Sequence, residues 1–159
     1  MPIRHPVPDN LLTQIGDMTV SFASLEFHMQ LMFVNLLKQS ARIGHILASQ
    51  LTFTRLRASL ISLYKERYGE DTDFHLLKDL MVKAGKIEEE RNLITHSIWG
   101  RGETSGSITR IKLTAREKRG FHAEYKQYDE KLFREFVANM QKLTEEIFLF
   151  DVEVIQKKV

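Results

Sequence analysis

Cysteine is absent from this chain, which rules out disulfides and thiolate chemistry and fits a cytoplasmic setting. Proline is scarce and confined, with Pro2, Pro6 and Pro8 the only three. Residues 1–9 are therefore expected to form an extended arm, and everything beyond is free of the residue that breaks helices. No run approaches the ~18 consecutive apolar residues of a membrane span, and the start has no apolar core of signal-peptide length, so no membrane role is expected. Glycine-rich loops of phosphate-binding spacing are missing, which removes the P-loop route to nucleotide hydrolysis. His28 meets Met32, not a ligand, four residues on, and His45 and His75 have no partners at metal-ligand spacing. No metal or cofactor is expected. Neither sign of charge dominates: 23 Lys and Arg stand against 21 Asp and Glu, and a net charge of +2 does not announce a nucleic-acid binder.

What remains is long, periodic and apolar on one side. With 159 residues and 43% hydrophobic content, the chain can bury one core, and residues 10–159 read as a single domain. The first helix is predicted over about 10–39, capped by Asp9 or Asn10, with Leu11, Ile15, Met18, Phe22, Leu25, Met29, Met32, Phe33 and Leu36 at alternating strides of four and three. A short helical stretch around Ile43, Ile46 and Leu47 comes next. A second long helix spans about 53–68 and stops at Gly69. Asp71-Thr72-Asp73 offers the cap for a third, about 73–99, in which Gly85 suggests a close crossing. Asp129 caps the last, about 130–156, striped by Leu132, Phe136, Met140, Leu143, Ile147, Phe150 and Val154, with Phe133 and Val137 broadening the stripe.

Between the last two helices the pattern changes. Gly100, Gly102 and Gly106 punctuate the start, and residues 107–112 and 121–126 alternate with a period of two, predicting a small antiparallel element over about 100–128. Residues 101–119 hold six Lys and Arg (Arg101, Arg110, Lys112, Arg116, Lys118, Arg119) against Glu103 and Glu117. This excess can steer a polyanion, although such runs are more often a solvated loop. The fold class is mainly α: a four-helix up-and-down bundle with a small antiparallel β element before the last helix.

The one cluster that looks like chemistry lies at the end of the third long helix, in Glu88-Glu89-Glu90-Arg91-Asn92-Leu93-Ile94-Thr95-His96-Ser97-Ile98-Trp99. The apolar stripe Phe74, Leu77, Leu80/Met81, Ala84, Ile87, Ile94, Ile98 reaches position 91, where it carries a permanent cation. Ordinary readings exist. Arg91 pairs with Glu88 one turn back or with Glu26 from another helix, and His96 is a helix-end histidine favoured by the dipole. Asn92 and His96 share a face at i and i+4, whereas Arg91 and His96 differ by roughly 140° on an ideal helix. Two copies of this helix meeting about a two-fold axis would make that placement sensible.

Arg91-Asn92-Leu93-Ile94-Thr95-His96 resembles the Arg, polar residue, three residues, His signature of the HEPN family, the higher eukaryotes and prokaryotes nucleotide-binding domain. The resemblance implies a HEPN-like helical bundle acting as a homodimeric, metal-independent ribonuclease. It implies His96 as acid/base, Arg91 as stabiliser of the charge that builds on phosphorus, and Asn92 as the positioning group. RNA would be the substrate, and the protein a toxin or defence effector, with an antitoxin protein as a further partner. Glu26, Glu88, Thr95 and Trp99 are candidate supporting residues, Trp99 most simply as packing between helix and β element. The alternative is a bundle of the same kind without activity that binds RNA, nucleotide or a protein partner.

Overall fold

A computed structural model describes residues 5–116 and 120–158, with the side chain of Arg116 left undescribed. Residues 1–4 of the expected arm, and Glu117, Lys118 and Arg119 of the basic run, lie outside the described residues. The architecture is mainly helical, with one three-stranded antiparallel sheet inserted before the last long helix. The elements run α1 (Asp9–Leu37), α2 (Ala41–Ala48), α3 (Phe53–Tyr68), α4 (Thr72–Thr95), β1 (Ile98–Arg101), β2 (Ile108–Arg116), β3 (Gly120–Tyr128) and α5 (Glu130–Phe150). A π-helical turn, Asp151–Ile155, and a last helical turn, Gln156–Lys158, complete the chain. Two compact units are distinguishable, one of residues 1–20 and 89–138, the other of 21–88 and 139–159.

Side-chain oxygens start most of the helices. Ser40 Oγ accepts from the Ile43 amide, Thr52 Oγ1 from Arg55, Asp71 Oδ1 from Phe74 at 2.8 Å and Asp129 Oδ1 from Leu132 at 2.8 Å. The Asp71 and Asp129 caps were expected. α1 starts differently: Asp9 is its first residue, and the amides of Leu11 and Leu12 close on the Pro8 carbonyl. Gly69, at φ 78°, ends α3 in a conformation that side chains disfavour. By length and hydropathy alone α1 could cross a membrane, yet 44% of its most apolar window is buried inside the protein. Its predicted stripe is buried, apart from a half-buried Ile15.

In the larger unit, α1 from Ser21 onward, α2, α3, α4 to Glu88 and the end of α5 share a core that includes Phe22, Met29, Met32, Leu56, Leu60, Tyr64, Leu77, Met81 and Ile147. Gly85 lies against the end of the Arg57 side chain: a Cβ there would lie 1.9 Å from Arg57 Nη1, which would have to shift. The close approach expected at this glycine is therefore made by a guanidinium, which also pairs with Glu88 at 3.5 Å. The last predicted stripe position, Val154, gives way to Ile155, which is fully buried. The π turn is the cause: its i→i+5 closure takes up one extra residue and rotates the positions after it. Within it Asp151 is buried and accepts from Asn35 Nδ2 at 3.1 and 2.8 Å and from Gln156 Nε2 at 3.1 Å.

The smaller unit holds the sheet, in order β1-β2-β3. β1 pairs Ile98 with Ile111 and Trp99 with Arg110; β2 pairs Arg110 with Lys126 and Ile108 with Tyr128. Two expectations are corrected here. α4 ends at Thr95, not 99, so Ile98 leaves the helical stripe and stands exposed on a strand. At the start of α5 the buried residues are Phe133 and Val137, while Leu132 is exposed and Phe136 only half-buried.

Replacing Asp151 by Ala removes the acceptor for two amide groups in a buried setting. Asp151→Ala is expected to lower stability by about 1–3 kcal/mol, read as a lower urea midpoint with an unchanged slope.

Candidate functional site

The last turn of α4 sets the site. Arg91 and Asn92 belong to the helix, whereas His96 lies one residue past its end, with its amide still donating to the Asn92 carbonyl at 3.0 Å. Thr95 Oγ1 folds back on the Arg91 carbonyl at 2.8 Å. Trp99 Nε1 donates to the Ile94 carbonyl at 3.2 Å, satisfying one of the acceptors a helix end leaves open. The indole packs edge-on against Tyr128, ring centres 5.4 Å apart, and lies 6.2 Å from the Phe133 ring.

Asn92, Leu93, His96 and Ser97 line an open groove of about 440 Å³, together with Glu89 and Lys112 from β2. The His96 side chain is exposed and Asn92 is half-buried. Arg91, also half-buried, donates from Nη1 to Asn92 Oδ1 at 2.8 Å. The structure therefore brings Asn92 and His96 to one groove and ties Arg91 to Asn92 within a single chain. Glu88 accepts from Thr54 Oγ1 at 3.1 Å and pairs with Arg57, and Glu26 is half-buried on α1 in the other unit.

Glu90, the last of three consecutive glutamates before Arg91, anchors the site. Its Oε1 accepts from Lys126 Nζ at 2.8 Å and from the Tyr128 hydroxyl, so two residues of β3 hold the helix end on the sheet. Burial opposes the charge on Glu90, but the donors of Lys126 and Tyr128 outweigh it and keep its carboxyl below the usual range. Burial, reinforced by the bond to Glu90, pushes the Tyr128 phenol up to about 12. Burial works against the Lys126 charge, yet its bonds to Glu90 and Tyr128 raise its pKa.

Four of the six cations of the basic run stand on strands, Arg101 at the end of β1 and Arg110, Lys112 and Arg116 on β2, while Lys118 and Arg119 lie outside the described residues. Arg110, in the middle of β2, is 1% exposed and pairs through Nη2 with Glu124. Among the described residues its Nε and Nη1 have no hydrogen-bond partner. Buried guanidinium donors without acceptors are costly, so Arg110 marks a polar centre within an otherwise packed sheet face. Lys112, two residues along and therefore on the same face, reaches the groove. Alternation in the sequence signals which residues share that face; it does not signal that the face is turned inward. Among the described residues no group of three or more His, Asp or Glu side chains could hold a metal ion.

No family model, curated protein or solved structure matches this chain.

The Glu90 anchor has a pH signature. A carboxyl held below its ordinary value stabilises the fold fully above the unfolded range near 4.3, and that stabilisation is lost as pH falls through the folded value. Glu90→Gln should therefore cost about 1 kcal/mol at pH 7 and flatten the loss of stability between about pH 5 and pH 3. Urea midpoints across that range, compared with the unsubstituted protein, check both the size and the sign.

Proposed function

We propose that this chain is a metal-independent endoribonuclease of the HEPN kind, folded as a HEPN-like four-helix up-and-down bundle. It acts as a homodimer on RNA in the cytoplasm, as a toxin or defence effector that an antitoxin protein holds in check. The observation that carries the reading is the groove where Asn92 and His96 meet, with Arg91 bonded to Asn92. His96, exposed at the groove, removes the proton from a ribose 2′-hydroxyl or returns one to the leaving 5′-oxygen. Arg91 supplies a planar fork of donors to the phosphorane oxygens, and Asn92 holds that fork in place. Lys112 adds a cation at the rim for a neighbouring phosphate. An open groove suits splayed, single-stranded or looped RNA better than a duplex.

A second reading has its own support. A space of about 440 Å³ is the size of a small-molecule site, which favours a bundle that binds a nucleotide without cutting RNA.

Purified protein incubated with single-stranded RNA in EDTA separates the two. His96→Ala is expected to reduce cleavage by roughly 10²–10⁴-fold and Arg91→Ala by roughly 10²–10³-fold, with 2′,3′-cyclic phosphate ends on the products of the unsubstituted enzyme. Equal cleavage with and without His96 would remove the catalytic assignment. Saturable nucleotide binding by a protein that never cleaves would favour the second reading. Growth arrest on expression, relieved by Arg91→Ala, is expected of the toxin.

A further inference from the structure

The two faces of the sheet differ in chemistry. Strand register places Ile108, Arg110, Lys112, Glu124, Lys126 and Tyr128 on the face that meets Glu90. The opposite face takes the alternate residues: Ile98 and Gly100 from β1, Thr109, Ile111, Leu113 and Ala115 from β2, and Phe121, Ala123, Tyr125 and Gln127 from β3. None of these ten carries a charge. Ile98, Ile111 and Tyr125 form one row across the three strands, and Leu113 and Phe121 extend it toward the hairpin tip. Four of the five large members are open to solvent, with Ile98 60% exposed, Leu113 50%, Phe121 72% and Tyr125 67%, while Ile111 is half-buried. An antiparallel sheet with one solvated face ordinarily sends its polar residues outward. Here the ion pairs share the helix-facing side with the buried Ile108 and Tyr128, and the outer face is left with exposed aromatic and aliphatic residues and no charge.

We propose that this outer face of β1-β2-β3 is the docking surface for a second copy of the chain, face to face about a two-fold axis. Two features select that occupant. Among the described residues this face carries no charge, so it offers nothing to the phosphates that dominate nucleic-acid affinity and sets no cation beside its aromatics of the kind a base-stacking platform uses. Nor does it offer a pattern that a charged protein partner would match. A copy of itself is uncharged in the same places, and a two-fold axis sets that patch against its own counterpart. Size agrees. The exposed apolar groups amount to roughly 500 Å², near the upper limit for a lone protein, and pairing two such faces removes on the order of 1,000 Å² from water, where specific association begins. This inference rests on the homodimer of the ribonuclease reading and adds its interface, using none of the groove residues. A dimer that survives the double variant below fails the interface alone, whereas a monomeric parent chain fails both.

Sedimentation of the intact chain at tens of micromolar should give twice the 18.6 kDa chain mass. The double variant Leu113→Glu/Phe121→Glu should sediment as one chain with its helical circular dichroism intact. A cysteine-free chain permits a second measurement that does not burden the fold. The thiol of Ala123→Cys, in the centre of the face, should react with a maleimide at least tenfold more slowly at dimer-forming concentration than after dilution. Glu66→Cys, exposed on α3, should show no such difference. A monomeric parent chain, a dimer that survives the double variant, or equal thiol reactivity at both concentrations overturns the proposal. So does a parent monomer whose face binds phospholipid vesicles or a single-stranded RNA oligomer in a Phe121-dependent way.

Discussion

The carboxylate of Glu90, held by Lys126 and Tyr128, is the constraint on which the smaller unit turns. Beside it, among the described residues, the two-residue link between Thr95 and Ile98, the Trp99 hydrogen bond to the Ile94 carbonyl and the packing of the indole join the end of α4 to the sheet. With it, the residue preceding Arg91 is fixed to β3, and the rotation of the final helical turn is settled. Asn92 then faces the groove, and the chain leaves the helix so that His96 stands beside it. Glu90 is kept ionised by the donors of Lys126 and Tyr128, Lys126 is kept protonated by its bonds to both, and burial with the Glu90 carboxylate keeps the phenol neutral against the pull of Lys126.

The same sheet face explains why a run of basic residues need not be a wet loop. Arg110 lies among packed side chains with one carboxylate partner, and its other donors are unmet among the described residues. Lys112, one step along the pleat, reaches the groove instead. A difference of two residues separates a structural cation from one that a ligand can meet. Net charge over the segment, which is what a sequence displays, averages the two together.

Much of the helical framework was legible because its signals are local. Asp71 and Asp129 cap the helices they precede, Gly69 ends α3, and the strides of α1 mark residues that are buried. The sheet was legible from its alternation. What was hidden depended on distant partners or on backbone detail. α4 stops four residues early because Ile98 and Trp99 pair with Ile111 and Arg110, more than ten residues further along. The stripe of the last helix slips by one residue because a π turn holds Asp151 against Asn35, across more than a hundred positions. In the site, Arg91, Asn92 and His96 stood out by residue type and spacing, whereas Glu90 looked like one of three equivalent glutamates. Only the location of β3 distinguishes it from Glu88, which turns to α3, and Glu89, which turns to the groove.

The position of His96 beyond the last residue of α4, with its ring open to water, carries a consequence for turnover. In the proposed reaction an imidazole that has taken up or surrendered a proton must return to its starting form before the next strand arrives. A ring enclosed in the fold would need a relay of side chains to do so. This one meets bulk solvent directly, so in that reaction buffer and water would recharge it between cycles, with no internal conduit.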